Sequence, residues 1–266
     1  MVAVSTGNHG RAVAHAARLL GARATVFVSE RVPAGKRTVL ERAGAELHVI
    51  GAEQDEAEAH AREHADATGA AWIPPFDHPD VIAGQGTLGL ELLDAVPDLD
   101  TVIVPLSGGG LIAGVAMAIR SVRPKVRVIG VSPRNGAAMI EALRAGCVVP
   151  TPQADTLADS LQGGLGSHNR YTVRMVRRWV HATVQVDEAD LADAMRFAFE
   201  RHRLVLEGAG AAAIAAVRSR ARRDAVPVLA VPTEGEADEA TDRAEAEHDE
   251  ARNPSETGVT ALLATG

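Results

Sequence analysis

Aromatic residues are scarce in this sequence: Phe, Trp and Tyr make up 3% of 266 residues, although apolar residues reach 46%. Its core must therefore be Ala, Val, Leu and Ile, small side chains that suit helices packed on sheets. The single Cys147 excludes a disulfide framework and a multi-cysteine zinc site, and fits a reducing, cytoplasmic setting. No apolar run approaches the roughly 18 residues that a membrane span requires. No basic and apolar leader precedes the first motif. Lysine is almost missing too, with Lys36 and Lys125 the only two.

The net charge of −8 belongs to one segment. From Glu234 onward ten acidic residues face two basic ones, which accounts for the whole excess, and residues 1–233 balance. A neutral body without a basic stripe argues against nucleic-acid binding. The run Arg218, Arg220, Arg222, Arg223 lacks interleaved aromatics and reads as a solvated helix end. Residues 234–266, which open EGEADEATDRAEAEHDEARNPSETG, are acidic and Ala-rich, and disorder or a loose helix is expected there.

What remains alternates between two patterns. ATVFV (24–28), ELHVI (46–50), AAWI (70–73), TVIVPL (101–106), VRVIGV (126–131) and VPVLAV (226–231) read as buried strands. GRAVAHAARLLG, GKRTVLERAG and LIAGVAMAIRSV between them carry helical spacing and stop at Gly or before Pro. The fold class expected is α/β: two lobes of open parallel sheet flanked by helices. A change of rhythm near Pro74-Pro75 separates a first lobe, 1–74, from a second, 75–233.

Two small-residue turns stand where such a protein binds anions. In VPLSGGGLIAG (104–114) a buried strand runs into Ser107-Gly108-Gly109-Gly110 and straight on into a helix. Three glycines let successive N–H groups converge, and the helix adds its positive end. A phosphate fits there, although a merely tight strand-to-helix turn would carry the same residues. The other turn, Ser5-Thr6-Gly7-Asn8-His9-Gly10, follows the short run VAV. Its hydroxyls and amide could equally be helix caps. His60-Ala61-Arg62-Glu63-His64 fits a zinc-binding spacing, but its surroundings look polar nearly all round and a solvated helix face is expected.

Taken together, STGNHG, GQGTLGLE (84–91) and PLSGGGLIAG resemble, in order and spacing, the fold type II pyridoxal-phosphate enzymes. These are the threonine/serine dehydratases and serine racemases of the tryptophan synthase β superfamily. The resemblance runs from Val2 to about Val231 and includes PAGKRTVLERAGAELHVIG, TLADSLQGGLG and LVLEGAGAAAIAAV. The wording IPPFDHPDVIAGQGT, NGAAMIEALRAG and TLADSLQGGLGSHNRYT is most similar to the hydroxyectoine-utilization dehydratases.

That resemblance implies pyridoxal 5′-phosphate as cofactor, held through its phosphate by Ser107, Gly108, Gly109, Gly110 and Leu111. Asn8 would meet the phenolic oxygen of the ring, and Glu207 of LEGAG would lie near the ring. Thr233 would meet the ring nitrogen in place of the family's Ser-Gly-Gly-Asn, which is absent here. Ser5, Thr6, Gly7 and His9 would grip the substrate carboxylate, with Gln85 beside the substrate. Thr6 also stands at the position that exchanges a proton in racemases, a task for which a Thr hydroxyl is poorly suited, so elimination is favoured over serine racemase-like activity. Ser132 occupies the place of a family metal-binding Glu, so no metal site is expected. The partner is a small amino acid, with no nucleic acid and no membrane, in a family that commonly forms homo-oligomers.

The family bonds its cofactor through a Lys in a Ser-x-Lys motif about fifty residues before STGNHG, and neither Lys36 nor Lys125 corresponds to it. Both look solvated. The expectation is therefore of a fold whose first part is missing. The activity implied is dehydratase or ammonia-lyase action on a threonine- or serine-like hydroxy amino acid, or on a hydroxyectoine breakdown intermediate. The alternative is an inactive remnant or a ligand-binding pseudoenzyme.

Overall fold

Val2, Ala3 and Val4 are all buried, and in a strand successive side chains point to opposite faces, so this short stretch needs cover on both sides. It is β1 (Val2–Val4) of a computed structural model that describes all residues except 6, 53, 153–154, 167–168, 223–227, 231–258 and 262–266. The chain divides into two units, Met1–Pro75 and a larger one beginning at Phe76.

In the first unit β1 is followed by α1 (Asn8–Leu19), β2 (Thr25–Val28), α2 (Ala34–Arg42), β3 (Glu46–Val49) and α3 (Gln54–Thr68). The three strands pair in parallel in the order β1-β2-β3, with Val2 opposite Thr25 and Thr25 opposite Glu46. Val2 and Val4 pack with Phe27 against Ala57, Ala61 and Ala65 of α3. Ala3 turns the other way, onto Val13, Ala14 and Ala17 of α1. Val26 and Val28 meet Leu40 of α2. Around His60 and His64, α3 has the expected solvated face, with His60, Arg62 and Glu63 exposed, and on its other side buries an alanine stripe; the half-buried His64 ring lies 5.5 Å from that of Phe27 and 5.7 Å from that of His48. Alanine is short enough for polar neighbours to mask its periodicity. The expected strand at 70–73 is reduced to one bridge, Trp72 to Val2.

The second unit runs α4 (Pro79–Ala95), β4 (Thr101–Pro105), α5 (Gly110–Val122), β5 (Arg127–Pro133), α6 (Ala138–Ala145), α7 (Thr172–Trp179), β6 (Ala182–Val186), α8 (Glu188–His202), α9 (Gly208–Arg222), β7 (Val228–Ala230) and β8 (Val259–Ala261). Its sheet has the order β7-β6-β5-β4-β8. Pairing is parallel except between β6 and β7. Both faces are covered: Val102 and Val104 of β4 point to one apolar cluster with Ile112, Val115 and Met139. Ile103, between them, points to another with Leu191 and the alanines of α9.

Three features depart from the sequence reading. β6, with its alternating Thr183 and Gln185, has no counterpart among the expected strands. β7 falls within the expected run 226–231 but lies antiparallel. Within the segment expected to be disordered, residues 259–261 form β8 on the edge of β4.

Helices α4 and α5 approach so closely that side chains are excluded at the crossing. A Cβ at Gly114 would lie 2.2 Å from the Ile82 carbonyl oxygen, and one at Gly89 2.8 Å from that of Val115. Gly86 and Gly89 of GQGTLGLE therefore serve helix packing. At the far end of α5, Arg123 donates to the carbonyls of Leu93, Val96 and Pro97 at the close of α4. Arg120 donates to those of Arg178 and Trp179 at the close of α7. Cations at helix carboxyl ends satisfy orphan carbonyls and complement the dipole. These contacts hold α5, and with it the loop at its start.

Candidate functional site

In the second unit β4 ends at Pro105, Leu106 donates its N–H to Val131, and the chain turns through Ser107-Gly108-Gly109-Gly110 into α5. Gly109 is the cap residue and has φ +86, a left-handed conformation that favours glycine. Its neighbours are glycine for a different reason. A Cβ at Gly108 would lie 2.3 Å from the Phe76 ring, and one at Gly110 2.9 Å from the Phe76 Cα. On the other side Met139, Thr172 and Val176 press against Gly109. The loop is thus held between Phe76 and the α6–α7 layer.

No side chain caps α5. Among the described residues none of the N–H groups from Ser107 to Ile112 donates to a protein acceptor. Four of those six residues are buried. Three other helix starts in this unit have side-chain acceptors: His78 accepts from Asp80 at α4, Asp187 and Asp190 form a capping box at α8, and Asp77 and Asn169 accept at α7. A buried helix start without protein acceptors calls for an external anion. The five residues Ser107 to Leu111 expected from sequence are therefore brought together here, and a phosphate suits them.

In the sequence Ser132 marks only the place of an absent metal ligand. Ser132 is 1% exposed and its hydroxyl donates to the Leu106 carbonyl at 2.6 Å, so β5 buttresses the residue that enters the loop. Phe76 and Asp77 are also site-shaping residues that sequence reasoning misses. They lie in a quoted motif, but nothing local signals a contact with residues some 30 to 95 positions away. Among the described residues no cluster of three or more His, Cys, Asp or Glu could hold a metal ion.

The first unit carries the other turn. Ser5 is buried at the carboxyl end of β1, donates its N–H to the Phe27 carbonyl, and accepts the Gly7 N–H on its hydroxyl at 3.0 Å. Gly7 caps α1 with extended backbone and no side-chain bond, and Asn8 begins the helix, half-buried. Gly10 is packed to the limit: a Cβ would stand 2.9 Å from Leu40 and 3.0 Å from Ser5. His9 Nε2 lies 2.9 Å from the Ile73 carbonyl, so Nε2 carries the proton. Burial pushes the His9 pKa below its ordinary value, partly offset by that bond, and the ring is neutral near pH 7. Ser5, Gly7, Asn8 and His9 form one neutral, donor-rich turn at the positive end of α1.

The remaining expected residues are dispersed. Gln85 is exposed on α4, its backbone beside Gly114. Glu207 is exposed at the start of α9 and accepts from the Ser160 hydroxyl at 3.2 Å. Thr6 and Thr233 lie outside the described residues. Lys125 is exposed between α5 and β5, beyond the far end of a 13-residue helix, roughly 20 Å from the loop. Lys36 is in the other unit, on the first turn of α2, and is half-buried rather than solvated.

An open, mainly parallel α/β sheet with a glycine turn and a helix start at a strand's carboxyl end is the arrangement in which α/β proteins bind phosphate-bearing ligands. The comparisons narrow this further. Residues 1–233 match the family of pyridoxal-phosphate dependent enzymes, and the chain belongs to it. A Sinorhizobium fredii protein, provisionally named a threonine dehydratase, is 46% identical over 219 residues, 82% of this chain and 66% of that one. A threonine deaminase of solved structure, from T.th., is 38% identical with a TM-score of 0.76, covering 85% of this chain and 73% of its own. Maize serine racemase is 31% identical with a TM-score of 0.79, covering 94% and 77%. The chain spans 54–66% of the length of the first curated relatives it matches.

Proposed function

We propose that this chain serves a pyridoxal-phosphate dependent dehydratase or ammonia-lyase acting on a threonine- or serine-like hydroxy amino acid by α,β-elimination. The observation that carries the reading is the run of N–H groups from Ser107 to Ile112, buried and without protein acceptors among the described residues. When bound, the cofactor supplies an electron sink that labilises the bonds at the substrate's α-carbon. The chain's own residues bind and orient. The Ser107–Leu111 loop holds the phosphate, Ser132 and Phe76 fix the loop, and the turn before α1 presents the positive end of that helix to a carboxylate. A neutral His9 adds no charge to that turn, so recognition there rests on hydrogen bonds and the helix end.

The relatives named as threonine dehydratase and threonine deaminase support L-threonine as the first substrate to test. The finer reading, a hydroxylated diamino acid from hydroxyectoine breakdown, rests on the wording of IPPFDHPDVIAGQGT and TLADSLQGGLGSHNRYT. A second reading follows from the lysines. Lys125 stands far from the loop and Lys36 belongs to the other unit, so the second unit by itself holds the cofactor without bonding it.

One experiment separates the readings. The chain is incubated with pyridoxal phosphate and each candidate amino acid, keto acid is measured, and borohydride-treated protein is mapped by mass. Keto acid release supports the lyase. Cofactor that dialyses away, with no keto acid, establishes the non-catalytic reading. Formation of D-serine from L-serine would replace elimination with racemisation, and no affinity for the cofactor at all would overturn both.

A further inference from the structure

Residues Phe76, Asp77 and His78 each secure a different element of the second unit. The Phe76 ring covers Gly108 and its backbone covers Gly110. His78 caps α4 through the Asp80 N–H. Asp77 is the most heavily used. Its Oδ2 accepts from the Arg170 N–H at 2.6 Å, and its Oδ1 accepts from those of Tyr171 and Thr172, each at 2.9 Å. The carboxylate thereby caps α7 across more than ninety residues of sequence.

Helix α7 is also the floor of the glycine loop. Thr172 and Val176 stand 3.1 and 3.2 Å from where a Cβ on Gly109 would be. Thr172 is wholly buried, and its N–H is one of the three that Asp77 holds. Asp77 therefore joins the two walls of the loop. Through the adjoining Phe76 it sets the wall against Gly108 and Gly110, and through Thr172 it sets the wall under Gly109. A carboxylate is the group suited to this task, because it offers two acceptor oxygens to converging N–H donors and complements the positive end of α7.

We propose that Asp77 is a positioning residue for the phosphate loop. By tying the Phe76 segment to the start of α7 it fixes the spacing in which the Ser107–Leu111 N–H groups converge. The residue never touches the phosphate; its effect passes through Phe76 and Thr172. This rests on the cofactor reading of the loop given above, and the experiment below separates the failure of one from the failure of the other.

The whole chain and its Asp77→Ala and Asp77→Asn variants are titrated with pyridoxal phosphate and, separately, with phosphate-free pyridoxal, while thermal unfolding is recorded for each protein. Asp187→Ala, which removes the cap of α8 in the same unit, serves as the comparison for a purely structural cap. Wild type should prefer the phosphorylated ligand. Asp77→Ala should weaken pyridoxal phosphate binding roughly tenfold, the scale of a lost cap, and leave pyridoxal binding as it was. Asp77→Asn keeps one acceptor oxygen and should fall between them, which preserves the comparison if the alanine variant does not fold. Asp187→Ala should lower the unfolding temperature without changing the preference. Equal phosphate preference in wild type and in the folded Asp77 variants would overturn the proposal. Absence of any preference in wild type would overturn the cofactor reading instead.

Discussion

At the residue scale, a few side chains have effects out of proportion to their size. Ser132→Ala deletes a buried bond to the Leu106 carbonyl and should cost about 1–2 kcal/mol in chemical unfolding. His9 makes stability depend on pH in a defined direction. Its folded pKa is lowered by burial, so below the ordinary value of 6.5 the unfolded chain takes up the proton first. The first unit should lose stability as pH falls through that value toward the lowered one, and lose no more below it. Replacing His9 with Gln should flatten this slope, seen by comparing unfolding at about pH 7.5 and about pH 5.5. Legibility at this scale is uneven. Ser107 to Leu111 can be read because strand, glycines and helix are contiguous in sequence. Asp77, Phe76 and Ser132 cannot, because their partners are distant in the chain and contact is a property of the fold. Glu207, which the resemblance sets near the ring, lies at the start of α9 and accepts from the Ser160 hydroxyl.

At the element scale, packing is decided by where side chains are missing. Gly114→Ala would push a Cβ into backbone of α4 and should destabilise the second unit by about 1–3 kcal/mol or more. Because α5 carries the glycine loop, the same variant should weaken pyridoxal phosphate binding, measured in the same sample. Arg123→Ala leaves three carbonyls at the close of α4 without this donor and should cost about 1–2 kcal/mol. The strands with long Val and Ile runs, β2, β4 and β5, are evident from sequence because central parallel strands are apolar throughout. β6, Ala182-Thr183-Val184-Gln185-Val186, carries the alternation of a strand but no continuous Val and Ile run, and a reading by such runs passes over it. The alanine stripe of α3 is concealed by residues too small to look like a core.

At the scale of the whole molecule, the family and the α/β class follow from residues 1–233, and the acidic remainder accounts for the net charge. Each unit holds one of the two small-residue turns. One holds a neutral, donor-rich turn at the start of α1, the other a glycine loop at the start of α5. Both obey the same physics, a helix start at a strand's carboxyl end with no side-chain cap. Sequence alone could not rank them, since a cap, a tight turn and an anion site share their residues. The hydrogen-bond inventory does so for α5, where buried donors have no protein acceptor among the described residues.

The central claim is that these donors hold a phosphate, and the most direct test is to watch them. In ¹⁵N-labelled protein titrated with pyridoxal phosphate, the amides of Ser107, Gly108, Gly109, Gly110 and Leu111 should shift together and saturate with one affinity, and phosphate-free pyridoxal should not move them. Shifts confined to other residues, or the same response to both ligands, would contradict the account.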